Sequence, residues 1–122
     1  MEESTEQLNR VFAALADPTR RGLVARLAGA DATVGELAKP HDMSIQAISK
    51  HVKVLEGAGL VTRSGEGQRR PVHLDAAVFD LMTNWIERYR QEAEDRYRRL
   101  DALLDRMADD NDQRQTQTKD AS

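Results

Sequence analysis

No cysteine occurs in this chain, which excludes disulfides, zinc-ribbon sites and cysteine nucleophiles. No apolar run approaches the ~18 residues needed to span a bilayer. The N-terminal stretch MEESTEQLNR is acidic and polar, unlike a secretion signal, and a soluble cytoplasmic protein is expected. No nucleophile–base set, Gly-rich phosphate loop or metal-ligand constellation stands out, so neither catalysis nor a cofactor is expected. The three histidines, His41, His51 and His73, are scattered without ligand spacing, and His41 and His73 read as surface or core-edge residues. No internal repeat is evident.

What is present fits one small domain. The 122 residues are too few for two comfortable ones. Charged residues make up 32 % and hydrophobic ones 39 %, which favours a modest core with solvated helices, or a dimer that completes the core. The net charge of −3 argues weakly against a nucleic-acid partner, so its distribution decides. Residues 44–74 carry Lys50, Lys53, Arg63, Arg69 and Arg70 against Glu56 and Glu66, a local +3, which leaves −6 on the rest. A basic surface on an acidic body suits selective binding better than a general charge clamp.

Along the chain, residues 4–16 read as a first helix. Ser4 and Gln7 have capping-box spacing, and Leu8, Val11, Phe12 and Leu15 form a stripe. Asp17 is placed to cap a second helix with Pro18 at its first position, where the missing N–H costs nothing. Leu23, Val24 and Leu27 supply its buried face, and Gly29 suits its end. Thr33-Val34-Gly35-Glu36 is another capping box, opening a short helix that Pro40 stops. After a turn at His41–Met43, Ser44 caps a helix whose Ile48, Val52 and Leu55 face inward. Gln46, Ser49, Lys50 and Lys53 stand on another face, the amide, hydroxyl and ammonium groups that read base edges and grip phosphates. A Gly-Ala-Gly-Leu turn follows. Val61–Arg63 and Pro71–Leu74 read as paired strands around Ser64–Arg70, whose two glycines and two arginines suit a flexible basic tip. Two helices joined by a short turn, then a hairpin, spell a winged helix-turn-helix: mainly α with a small β-hairpin.

Asp75 is placed to cap a long last helix. Its apolar positions Val78, Leu81, Met82, Trp85, Ile86, Tyr89, Ala93, Tyr97, Leu100, Leu103, Leu104 and Met107 keep steps of three and four over about 30 residues, ~45 Å at ~1.5 Å per residue. A domain this small cannot cover such a stripe, so a homodimer through the N- and C-terminal helices is expected. Leu8, Val11, Phe12, Trp85, Tyr89, Tyr97, Leu100 and Leu104 are its expected interface. The alternating acids and bases from Glu87 to Arg106 suit a solvated face with pairs such as Glu92–Arg96 and Asp95–Arg99. Residues 109–122 lack apolar periodicity and are expected to be disordered, giving a domain over 1–108 and a polar tail over 109–122.

Several of these strings match a known family. LADPTRRGLVARL (15–27) and SIQAISKHVKVLEGAGLV (44–61), with the wing GEGQRRPVHL and the Trp-containing last helix, resemble the ArsR/SmtB-type winged-helix regulators over roughly residues 6–107. Val52 replaces the usual Leu of the family's recognition segment. The resemblance implies a dimeric repressor on an inverted repeat of double-stranded DNA near its own promoter. It assigns DNA contacts to Ser44, Gln46, Ser49, Lys50, His51, Lys53, Arg69 and Arg70, and to Arg20 either a phosphate contact or an intramolecular ion pair. Many relatives release DNA on binding metal through a Cys-Val-Cys-type pair, but Thr33 and Gly35 stand at those positions, neither a ligand for a soft metal. At the family's second metal site Asp75 is suitable, while Arg88 and Gln91 replace the His and Glu. No metal sensing is therefore expected. The apolar stripe with Trp85, Tyr89 and Tyr97 has two readings, plain dimer core and an effector pocket between protomers, of which core is the commoner; the identity of any effector is not written in the residues. The competing reading is a winged-helix module that binds a protein instead of DNA.

Overall fold

The computed structural model describes residues 2–65 and 69–120. Met1, the wing residues 66–68 and the last two residues of the tail lie outside the described residues. The helices are α1 (Glu2–Leu15), α2 (Pro18–Gly29), α3 (Val34–Ala38), α4 (Ile45–Gly57) and α5 (Ala77–Asp120), with strands β1 (Val61–Arg63) and β2 (Val72–Leu74) between the last two. The chain divides into two compact units, 1–83 and 84–122.

In the first unit the sequence signals set most boundaries. The Asp17 side chain accepts from the Arg20 N–H, with Pro18 opening α2. Thr33 and Glu36 form the complete reciprocal capping box of α3, and the Ser44 hydroxyl accepts from the Ala47 N–H at α4. Ser4 behaves differently from expectation. Helix α1 already begins at Glu2, so Ser4 lies inside it, and Gln7 instead donates across the domain to the Ala58 carbonyl at 3.5 Å.

Helix α4 closes with a bond from the Leu60 N–H to the Leu55 carbonyl at 2.9 Å, beside one from Gly59 to Glu56 at 2.9 Å. This six-residue closure requires a left-handed residue, and Gly59 supplies it at φ +80°. Strands β1 and β2 then pair antiparallel, Val61 with Leu74, Thr62 with His73 and Arg63 with Val72. Ala32, before α3, adds a bridge to Val72 through bonds of 2.7 and 3.3 Å. The end of the strand pair from which the wing loop departs is thereby tied to the segment before α3.

Leu23, Leu37, Ile48, Leu55 and Leu60 are completely buried, joined by Val11, Val52, Val61 and Val72. Each such burial contributes roughly 1.5–3 kcal/mol. Val11 therefore belongs to the protomer's own core and has no surface to offer a partner, a correction to its expected place at a dimer interface. The stripe reading of α1 failed there because a buried face and an interface carry the same periodicity.

The second unit is helical. Trp85, Ile86, Tyr89, Tyr97, Leu100, Leu103, Leu104 and Met107 are all 44–62 % exposed. Trp85 and Tyr89 stack at 4.9 Å between ring centroids, tilted by 59°. Glu92 pairs with Arg88 at 3.7 Å and Asp95 with Arg98 at 3.7 Å, where the sequence suggested Arg96 and Arg99. Arg90 binds Glu87 and Glu94. Helix α5 also runs through 109–120, where disorder was expected. That stretch contains no Gly or Pro to break the backbone ladder, so helix persists there without an apolar face. No described helix is long and apolar enough to cross a membrane.

Candidate nucleic-acid interface

Helix α4 presents two chemically distinct sides. Ile48, Val52 and Leu55 are fully buried, while Ser44, Gln46, Lys50 and Lys53 are exposed and Ser49 is half-buried. Positions 46, 49, 50 and 53 follow the three-to-four-residue step of one helix face. Ser44 spends its hydroxyl on the cap, 3.1 Å from the Ala47 nitrogen. An open groove of about 530 Å³ runs beside this face, lined by Thr33, Val34 and Gly35 before and in α3, Ile45 and Ser49 of α4, and Arg63 and Arg69 of the hairpin. Arg69 is exposed, and Arg70 is half-buried, donating to the Gly65 carbonyl at 3.4 Å.

Arg63 is a residue that sequence patterning passed over. Its Nε lies 2.9 Å from Glu56 Oε1, linking β1 to the C-terminal half of α4. The spacing of α4 and β1 gave no hint of this pair, because it forms across the Gly59 turn.

His51 and Arg20 are drawn together. The Arg20 Nε donates to the Ala14 carbonyl at 2.6 Å, and Nη2 donates at 3.2 Å to Ala13, whose carbonyl also takes the Ala16 N–H at 3.2 Å; the guanidinium thus caps the end of α1. Its Nη1 lies 3.2 Å from His51 Nδ1. A guanidinium only donates, so Nδ1 accepts and a neutral His51 carries its proton on Nε2. Asp17 Oδ2 stands 4.0 Å from the same ring nitrogen. Arg20 thus fastens α1, α2 and α4 at one point, through hydrogen bonds to carbonyls and the His51 ring. The bond from the Arg20 backbone N–H, with the Arg20 guanidinium nearby, holds the Asp17 carboxyl below its ordinary value. The Thr33 backbone and hydroxyl do the same for Glu36.

The strand ends that carry the wing loop hold an arrangement the sequence reading did not find. His73 Nδ1 lies 2.5 Å from Asp31 Oδ2, and its Nε2 lies 2.6 Å from Ser64 Oγ. Residues 31, 64 and 73 have no local spacing to betray this; the Ala32–Val72 bridge and the hairpin register assemble them. Among the described residues, no group of three or more His, Cys, Asp or Glu stands ready to hold a metal ion.

Comparison with known proteins places this geometry. A family model described as a helix-turn-helix domain matches residues 15–64. The chain is 38 % identical to the HTH-type transcriptional regulator Rv2034 of Mycobacterium tuberculosis, over 84 % of this chain and 92 % of that protein. It is 34 % identical to the transcriptional repressor SdpR of Bacillus subtilis, over 65 % of this chain and 88 % of the repressor. Among solved structures, an ArsR family transcriptional regulator superposes with a TM-score of 0.70 at 39 % identity, over 74 % of this chain and 93 % of that one. A homodimeric winged helix-turn-helix DNA-binding domain from Mycobacterium bovis superposes with a TM-score of 0.58 at 25 % identity, over 74 % of this chain and 84 % of the other. With its capped helix pair, its basic hairpin and these relatives, the chain belongs to the ArsR-type winged helix-turn-helix transcriptional regulators.

Proposed function

We propose that this regulator is a homodimeric repressor that binds an inverted-repeat operator in double-stranded DNA, its own promoter included. The observation that carries the reading is the outer face of α4: Gln46, Lys50 and Lys53 are exposed beside a groove that Arg63 and Arg69 line. In this reading α4 enters the major groove. Gln46 and Ser49 meet base edges, a bidentate Gln–adenine pair giving ~1–3 kcal/mol of discrimination. Lys50, Lys53, Arg69 and Arg70 hold phosphates, which supply affinity and make it salt-sensitive. Ser44 contributes through the helix start it caps, and His51 through its Nε2 N–H, the Nδ1 being occupied by Arg20. Two protomers set their recognition helices about 34–36 Å apart, one DNA turn. The homodimer known for the Mycobacterium bovis relative and the exposed apolar stripe from Trp85 to Leu104 support the dimer. Repression is the activity named for the Bacillus subtilis relative.

Fluorescence anisotropy of the purified chain on labelled DNA from upstream of its own gene, titrated across salt, tests the proposal. Tight, competitor-resistant binding at two protomers per site is expected. Binding no stronger than to random DNA, with no steep salt dependence, would instead favour the protein-binding module.

A further inference from the structure

We propose that Ser64, at the base of the wing, is an activated hydroxyl that accepts acyl groups from activated esters, with His73 as its base and Asp31 as the residue that positions His73. The three side chains form one chain of contacts, Ser64 Oγ to His73 Nε2 at 2.6 Å and His73 Nδ1 to Asp31 Oδ2 at 2.5 Å. With a neutral imidazole, every donor is fixed by chemistry. An ionised carboxylate only accepts, so Nδ1 carries the ring proton and donates to Asp31. Nε2 then has a free lone pair, and the Ser64 O–H donates to it. This is the polarity that a hydroxyl nucleophile requires: a base in hydrogen-bond reach, itself oriented by a third group.

The fold holds the arrangement from both sides. Thr62 and His73 are paired across the hairpin, and the two-residue period of a strand places residue 64 on the same face as residue 62. Asp31, far away in sequence, is brought alongside by the adjacent Ala32–Val72 bridge. Ser64 is exposed and the His73 side chain is 32 % exposed, so a reagent in solution reaches the hydroxyl. None of the three belongs to the DNA-facing set above, and the DNA reading leaves their alignment unexplained.

In the proposed step, Ser64 Oγ attacks the carbonyl carbon of the ester. The Oγ–H bond breaks as the Oγ–acyl bond forms, and the proton passes to His73 Nε2. The imidazolium so formed is stabilised by Asp31. The bond from the acyl carbon to the leaving oxygen then breaks, and His73 returns the proton to that oxygen. No oxidant or metal takes part. The product is O-acyl-Ser64, which no longer donates to His73.

The full chain, incubated with p-nitrophenyl acetate and followed by time-resolved peptide mapping, tests this directly. Ser64 is expected to acylate about a hundredfold or more faster than Ser44 and Ser49 of the same molecules, the lower range of a positioned base. His73→Gln is expected to abolish that advantage, and Asp31→Asn to reduce it, with folding of each variant checked by circular dichroism. Asp31→Glu should restore part of the rate, which a merely structural contact would not require. Acylation of Ser64 at the rate of Ser44 and Ser49 in the unaltered protein overturns the proposal, whatever the variants do. So does an unchanged rate in folded His73→Gln.

Discussion

Single residues fix the joints of this molecule. Gly59 is required twice over: its φ of +80° is left-handed, and a Cβ there would stand 2.8 Å from Gln7 Nε2. The left-handed backbone alone costs a side-chain-bearing residue about 1–2 kcal/mol. Gly59→Ala is therefore expected to lower stability by about that amount, measured as the urea unfolding midpoint; an unchanged midpoint would remove the case for strain. Asp17 adds a pH dependence. Its carboxyl is held below the ordinary value by the Arg20 N–H, so the charged form is favoured by the fold. Its stabilising effect is present above the ordinary carboxylate range near pH 4 and is lost as pH falls through the lowered folded-state value. Relative to the parent protein, Asp17→Ala should melt lower at pH 7, with the gap closing as pH is taken toward 2. A gap independent of pH would mean that the carboxylate charge is not what matters. The capping role of Asp17 was legible in sequence because it is a local bond over three residues. The Arg20–His51 contact was not, since it spans 31 residues and depends on how α4 lies across α1 and α2.

At the scale of elements, helix α4 and the hairpin act as a pair. The Arg63–Glu56 contact and the Gly59 turn hold the first strand against the helix, while the Ala32 bridge holds the second. The wing is thus anchored at its base, and its arginines reach from a fixed origin. Replacing Arg69 and Arg70 together by Ala should weaken operator binding at every sequence about equally. It should also flatten the log–log salt dependence by about 0.9 for each phosphate that the wing no longer neutralises, up to two. Equal salt slopes for the two proteins would mean that the wing does not touch phosphates. Strand limits and helix caps were readable here from Thr33, Ser44 and the glycine-rich turn. The Ser64–His73–Asp31 chain was invisible, because its members come from three separate segments and only the register brings them together.

For the molecule as a whole, the decisive question is what covers the apolar stripe of α5. Leu100 and Leu104 are 47 % and 52 % exposed in the single chain, and burying a leucine contributes roughly 1.5–3 kcal/mol. Changing both to Ala is expected to weaken self-association about a hundredfold or more by sedimentation, and operator affinity should fall with it. A double variant that sediments like the parent protein would place the interface elsewhere. Periodicity alone could not separate the two uses of an apolar stripe. In α1 it led to Val11, which the protomer's own core consumes, whereas in α5 Val78 joins that core and the stripe from Trp85 to Met107 remains uncovered.

The sequence by itself determined the order of elements, most of their caps, the basic character of the 44–74 segment and the resemblance to winged-helix regulators. These are local properties, set by hydrogen bonds over three or four residues, by periodicity and by charge. Only the tertiary structure decided that Arg20 ties helices together, that Val11 is core, that Arg63 braces the wing and that Ser64, His73 and Asp31 align. Each of these depends on distances between residues remote in the chain, which are fixed by packing around the buried leucines and by strand register, and neither is written in any single stretch of sequence.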